Sequence, residues 1–153
     1  TEATSLMAHL RQSIRERIAT DVTGLTTCGT SVFQSRVYPV EDASLPCLLV
    51  YTTSEESEVD IMESPRAMKR LLNVIVQGVV GTATNPDDTL DTISKEVEVA
   101  IAGDVTINSL AKNSFLSSTE IEYNAEGAKP IGIVRLNYVV EYRNLDNNPE
   151  SAI

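Results

Sequence analysis

The sequence predicts an α+β fold, a mainly antiparallel sheet of about five strands with two helices packed on one face, in the order α-β-β-β-α-β-β. Three observations carry this. Apolar residues recur at helical spacing near 4–20 and 85–102. The last long apolar segment, 131–143, alternates between two faces as a half-buried strand does. The remaining strands are joined mostly by hairpin connections, which require antiparallel pairing, and two one-sided helices suffice to cover one sheet face.

The first element is a helix from about Thr4 to Thr20. Leu6, Leu10, Ile14 and Ile18 form its apolar stripe with Met7 beside them, Thr4 or Ser5 offers a cap, and Gly24 offers a stop. A Thr- and Gly-rich loop, Leu25 to Ser31, leads to two short strands near Val32–Tyr38 and Cys47–Thr53. Pro39 and Pro46 mark their ends, since proline cannot donate to a sheet ladder. Thr52 to Ser64 reads as an acidic loop: Glu55, Glu56, Glu58, Asp60 and Glu63 are five acids with no base. Arg66, Lys69 and Arg70 follow at once, and a strand runs on to about Val80, so the whole resembles a long hairpin with a charged tip.

Asn85-Pro86-Asp87-Asp88 is a helix start, with a capping Asn, a proline in the first turn and acids at the positive end of the dipole. Leu90, Ile93, Val97, Ala100 and Ile101 form the buried stripe of this helix, which runs to about Ala102 and ends at Gly103. Strands near Phe115–Tyr123 and Ile131–Arg143 close the fold around a turn at Glu126–Pro130. In the last strand Val134, Leu136, Tyr138, Val140 and Tyr142 face one way, and Arg135, Asn137, Glu141 and Arg143 face the other. The expected organisation is one domain over 1–143 and a flexible C-terminal tail over 144–153.

The chain has 153 residues, 42% apolar and 22% charged, enough to bury a core without disulfides or metal. Its formal net charge of −10, from 22 Asp and Glu against 12 Lys and Arg, repels polyanions, and no basic stripe marks a nucleic-acid interface. Cys28 and Cys47 are too few for a disulfide scaffold or a zinc site and read as reduced thiols, Cys47 as a small buried hydrophobe. No signal peptide and no membrane-spanning run is expected, which places the protein in the cytoplasm.

Chemistry-bearing constellations are not found, so no catalytic residue, no cofactor and no metal site is expected. His9, the single histidine, reads as a surface or edge residue. The glycines form no phosphate loop, and no nucleophile elbow occurs. Asp87, Asp88 and Asp91 suit a helix N-terminus, and the acids from Glu55 to Glu63 lack the glycine and spacing of a calcium loop. An acidic tip beside a basic base admits two readings. Glu55, Glu56, Glu58 and Asp60 of one copy meet Arg66, Lys69 and Arg70 of the next in a head-to-tail contact, or the same residues pair locally in a solvated loop.

Several stretches together resemble a known family. They are the opening helix, Val32-Phe33-Gln34-Ser35-Arg36-Val37-Tyr38-Pro39-Val40, Ala43-Ser44-Leu45-Pro46-Cys47-Leu48-Leu49-Val50-Tyr51-Thr52 with its acidic sequel, the Asn-Pro-Asp-Asp helix, and the closing Tyr138-Val139-Val140-Glu141-Tyr142. From about Ser5 to Arg143 the chain resembles the tail terminator (tail completion) proteins of long-tailed bacteriophages. The resemblance implies a homohexameric ring on the head-proximal end of the tail tube. Such a ring stops tube polymerisation, meets the head–tail connector or neck protein, and lets DNA pass through its lumen unbound. It implies no cofactor, assembly in the host cytoplasm and a place in the virion tail. Three rivals remain: another neck or stopper ring protein, a monomeric bacterial protein-binding domain and, third, an enzyme.

Overall fold

Residues 8–34, 46–81, 86–124 and 131–153 are described by a computed structural model. They form α1 (Leu10–Asp21), β1 (Val32–Phe33), β2 (Cys47–Ile61), β3 (Ala67–Gly81), α2 (Pro86–Ala102), β4 (Asn113–Asn124) and β5 (Ile131–Leu145). The five strands make one sheet in the order β1-β2-β3-β5-β4. β1 lies parallel to β2, and every other neighbouring pair is antiparallel. This is the α+β architecture that the sequence predicts.

The alternation in β5 decides which sheet face is buried. Val134, Leu136, Tyr138, Val140 and Tyr142 are all buried, and they lie beside Gly78, Val76, Val74, Leu72 and Arg70 of β3. Leu10, Ile14 and Ile18 of α1 and Leu90, Ile93, Val97 and Ile101 of α2 join the same apolar cluster, so both helices cover this one face. Ala100 is half-buried at the edge of the α2 stripe. Gly78 lets α2 approach: a Cβ there would lie 2.9 Å from Ile93 Cγ2 and 3.1 Å from Val134 Cγ1. The opposite face carries a smaller cluster, Cys47, Leu49, Tyr51 and Val79, with Phe33, Ile75, Ile131 and Ile133 against it.

Four boundaries differ from expectation. α1 begins at Leu10, because residues 8 and 9 are not helical, and the expected cap residues Thr4 and Ser5 lie outside the described residues. His9 caps it instead, its Nδ1 accepting from the Arg11 N–H at 3.0 Å. β1 has two residues, with Gln34 outside it and Ser35–Tyr38 beyond the described residues. The acidic segment is not a loop: β2 continues to Ile61, and Glu55, Glu56 and Glu58 lie beside Leu72, Leu71 and Lys69 of β3, which outweighs the poor strand propensity of Glu. The turn is residues 62–66, with a cis Ser64–Pro65 peptide. β5 runs to Leu145, two residues into the segment assigned to the tail. Beyond it Asp146 N donates to Arg66 O, Leu10 N to Pro149 O, and Ile153 N to Arg143 O. The Asn85 cap and the Glu126–Pro130 turn lie outside the described residues.

Between α2 and β4 the chain makes a left-handed turn, with Ile107, Asn108 and Ser109 at φ 49°, 55° and 66°. Ile107 is fully buried there, and Asp104 Oδ1 accepts from Asn108 N. A β-branched residue at positive φ is strained, and its burial in the core is what holds it.

Candidate assembly surface

β2 and β3 extend together past the helices as an arm, and two bulges in β2 decide where its acids point. Val50 and Thr52 lie beside Val76 and Val74, on the helix-covered face. The register shifts between Thr52 and Ser54, so Glu55, opposite Leu72, takes the face that simple alternation would give to Ser54 and Glu56. Glu55 is therefore turned inward, its side chain 9% exposed. Its Oε2 accepts from Arg11 Nη1 at 2.9 Å and from Arg70 Nη1 at 3.2 Å, and its Oε1 accepts from the Tyr142 hydroxyl. One carboxylate thus ties α1, β3 and β5 to β2.

The ionisation of the neighbours follows from this packing. Burial and then the Glu55 carboxylate hold the Tyr142 hydroxyl far above its ordinary range. His9 Nε2 lies 3.4 Å from Arg70 Nη1. Burial, Arg11 and Arg70 together lower the His9 pKa, against Glu55. The predicted surface histidine is a helix cap set among two arginines.

The structure sorts the seven predicted interface residues into two groups. Glu55 and Arg70 meet inside the chain, so this pair is local. Asp60, the extra residue at the second bulge, accepts from Arg143 Nη1 at 2.6 Å. Arg66 reaches Asp146, its guanidinium at 3.8 Å and its backbone N–H at 3.2 Å. Glu56, Glu58 and Lys69 stay on the outer face, with Glu58 opposite Lys69, and line an open groove of about 370 Å³ with Ser57 and Leu71. The apolar content of the arm went unnoticed in the sequence: Val59, Ile61 and Met62 are exposed, Met62 at 74%.

At the other sheet edge a second groove, about 220 Å³, lies between the end of α2 and the start of β4. Glu98, Ile101, Val105, Ser114, Phe115 and Tyr138 are among its walls. Phe115 and Val105 are exposed there. Burial and then Glu98 push the Tyr138 hydroxyl up to about 12.

A third cluster joins α1 to the turn that follows α2. Arg17 Nε contacts Asp21 Oδ1 at 3.3 Å and Asp104 Oδ2 at 3.0 Å. Burial first, and then the neighbouring Asp104, push the Asp21 carboxyl up to about 7, while Asp104, hydrogen-bonded to it, is lowered. Asp21 Oδ2 is buried with no donor in reach.

Both cysteines are buried as free thiols, and burial pushes Cys28 up to about 12. Among the described residues no group of three His, Cys, Asp or Glu is placed to hold a metal ion. No described helix is long and apolar enough to cross a membrane.

The sequence profile of the family described as phage minor tail protein U matches residues 9–142. No curated protein matches the chain. Among solved structures, a chain of the virion of a native gene transfer agent (GTA) particle matches at 13% identity, covering 92% of this chain and 99% of that one, with a TM-score of 0.35. The matched residues 9–142 run from the His9 cap through the Glu55 network to Tyr142, and they take in the arm and the groove beside β4. The chain belongs to the phage minor tail protein U family and is a structural component of a phage tail.

Proposed function

We propose that this chain caps the head-proximal end of the phage tail tube as a ring of six copies. One ring face buries the growing end, and the other is shaped so that no further tube subunit adds and a connector or neck protein docks. The observation that carries the reading is membership of a phage tail family across 9–142. Two features of the chain support it. The net charge of −10 allows DNA to traverse a lumen without being gripped. The arm and the groove beside β4 are different surfaces at opposite sheet edges, the arrangement a head-to-tail ring needs. Glu56, Glu58 and Lys69, which keep their charge outward on the arm, belong to this subunit contact.

The test combines solution mass with tube growth. Light scattering is expected to find a species near six times 16.6 kDa, alone or on tube ends. The chain added to polymerising tail tube protein is expected to stop elongation and sit at one end. Tubes that lengthen unchanged, with the chain left in the supernatant, refute the capping role. Binding to a portal or adaptor ring in place of the tube reassigns the chain to the neck.

A further inference from the structure

The exposed apolar tip of the arm lacks a counterpart within its own copy. Ile61 and Met62 are 51% and 74% exposed at the end of β2, well past the residues that α1 and α2 cover. The apolar groove walled by Ile101, Ala102, Val105 and Leu116 lies at β4, and the whole width of β3 and β5 separates β2 from β4. Three strand spacings of about 4.8 Å stand between tip and groove in one copy. The tip of one copy reaches such a groove only on another.

The charges beside the two surfaces are opposite and ordered in pairs. Glu63 and Arg66 flank the tip, and both are exposed. Lys112 precedes the groove strand and Glu98 forms its far wall, also exposed. Among the described residues neither Lys112 nor Glu63 nor Glu98 makes an ion pair, and Arg66 has only the long contact to Asp146. Lys112 thus offers a partner to Glu63, and Glu98 offers one to Arg66.

We infer that the tip of each arm, Ile61 and Met62, inserts into the α2–β4 groove of the next copy, with Glu63 meeting Lys112 and Arg66 meeting Glu98. This deepens the ring reading and rests on it. The contact joins two different surfaces, so it propagates from copy to copy and closes only when the rotation allows. It also revises the charge pairing expected from sequence: the acids of the tip face Lys112 of the neighbour, because Arg70 is already held by Glu55. Methionine suits such a site, since its unbranched chain fits an irregular apolar groove.

The experiment uses the full chain, followed by light scattering over a concentration series and by capping of tail tubes. Met62→Asp, at a position 74% exposed, is expected to keep the wild-type circular dichroism and thermal midpoint. It should move the midpoint of assembly to at least about tenfold higher concentration, as loss of a central interface anchor does. Glu63→Lys and Lys112→Glu should each weaken assembly about threefold, and the double exchange should return it to within about twofold of wild type. A wild-type ring that Met62→Asp and both single exchanges leave unchanged overturns this contact while the ring reading stands. A Met62→Asp ring of normal mass that no longer binds tubes assigns the tip to the tube protein and likewise overturns it. A wild-type chain that forms no ring in solution or on tube ends ends the ring reading itself.

Discussion

Replacing Glu55 by Gln tests whether the arm is fixed to the body of the molecule by one buried carboxylate. The wild-type side chain accepts from Arg11, Arg70 and Tyr142. An amide offers one oxygen for these three donors, and its NH2 group faces guanidinium donors it cannot bond. Hydrogen bonds to charged groups contribute about 1.5–3 kcal/mol each, and a buried cation stripped of its partner costs more. Arg70 is 15% exposed and bears most of that cost; Arg11, 42% exposed, turns to water and bears little. The expected loss is about 2–3 kcal/mol, or roughly 4–12 °C in Tm for a domain of this size. Urea unfolding followed by circular dichroism measures it, and Tyr142→Phe alone and combined with Glu55→Gln gives the coupling between the two. A loss below about 0.5 kcal/mol, or a Tyr142 substitution that simply adds to that of Glu55, refutes the idea that Glu55 is the joint of the arm.

Four further outcomes follow from the same geometry. Asp60→Asn should cost less than about 1 kcal/mol in the same urea assay, because its pair with Arg143 is about one-third exposed on both sides. Gly78→Ala should cost about 1–3 kcal/mol, since the added methyl falls 2.9 Å from Ile93 Cγ2 and α2 must move away; a neutral result removes the close approach. Ser109→Gly should leave stability unchanged or raise it by up to about 1 kcal/mol, because it relieves a positive φ at an exposed site. The Asp21 carboxyl is raised in the folded chain, so the folded state holds its proton where the unfolded chain has released it. Stability should then fall as pH rises from 3.8 to about 7, and Asp21→Asn should flatten that slope in thermal melts taken across the window.

The parts of the fold that were legible in the sequence are those where burial repeats with a fixed period. Val134 to Tyr142 alternates, and Leu90, Ile93, Val97 and Ile101 fall on one helical stripe, so both faces followed directly. The far half of β2 has no such period, since acids and serines interrupt it and its strand conformation comes from β3 beside it. The inward turn of Glu55 was hidden for a sharper reason. A one-residue bulge reverses parity, and the residues that receive the carboxylate, Arg11 and Tyr142, are 44 and 87 positions away in the chain. The His9 cap replaces a side chain more usual in that role. The tip was recognised by charge, and its apolar residues were masked by the acids around them.

The arm is held by residues from both extremes of the described chain. Arg11 reaches its Glu55, Leu10 N–H binds the carbonyl of Pro149, Asp146 grips the turn at Arg66, and Tyr142 closes the network from β5. Such contacts close long loops, and they form late because the chain must first lose the entropy of bringing distant segments together. On a ribosome the hairpin emerges well before β5, so it waits for its clamp until residues 142–149 are made. The order of synthesis therefore sets the order of closure: the hairpin comes first, and its Glu55 carboxylate gains the Tyr142 hydroxyl only after β5 has been made.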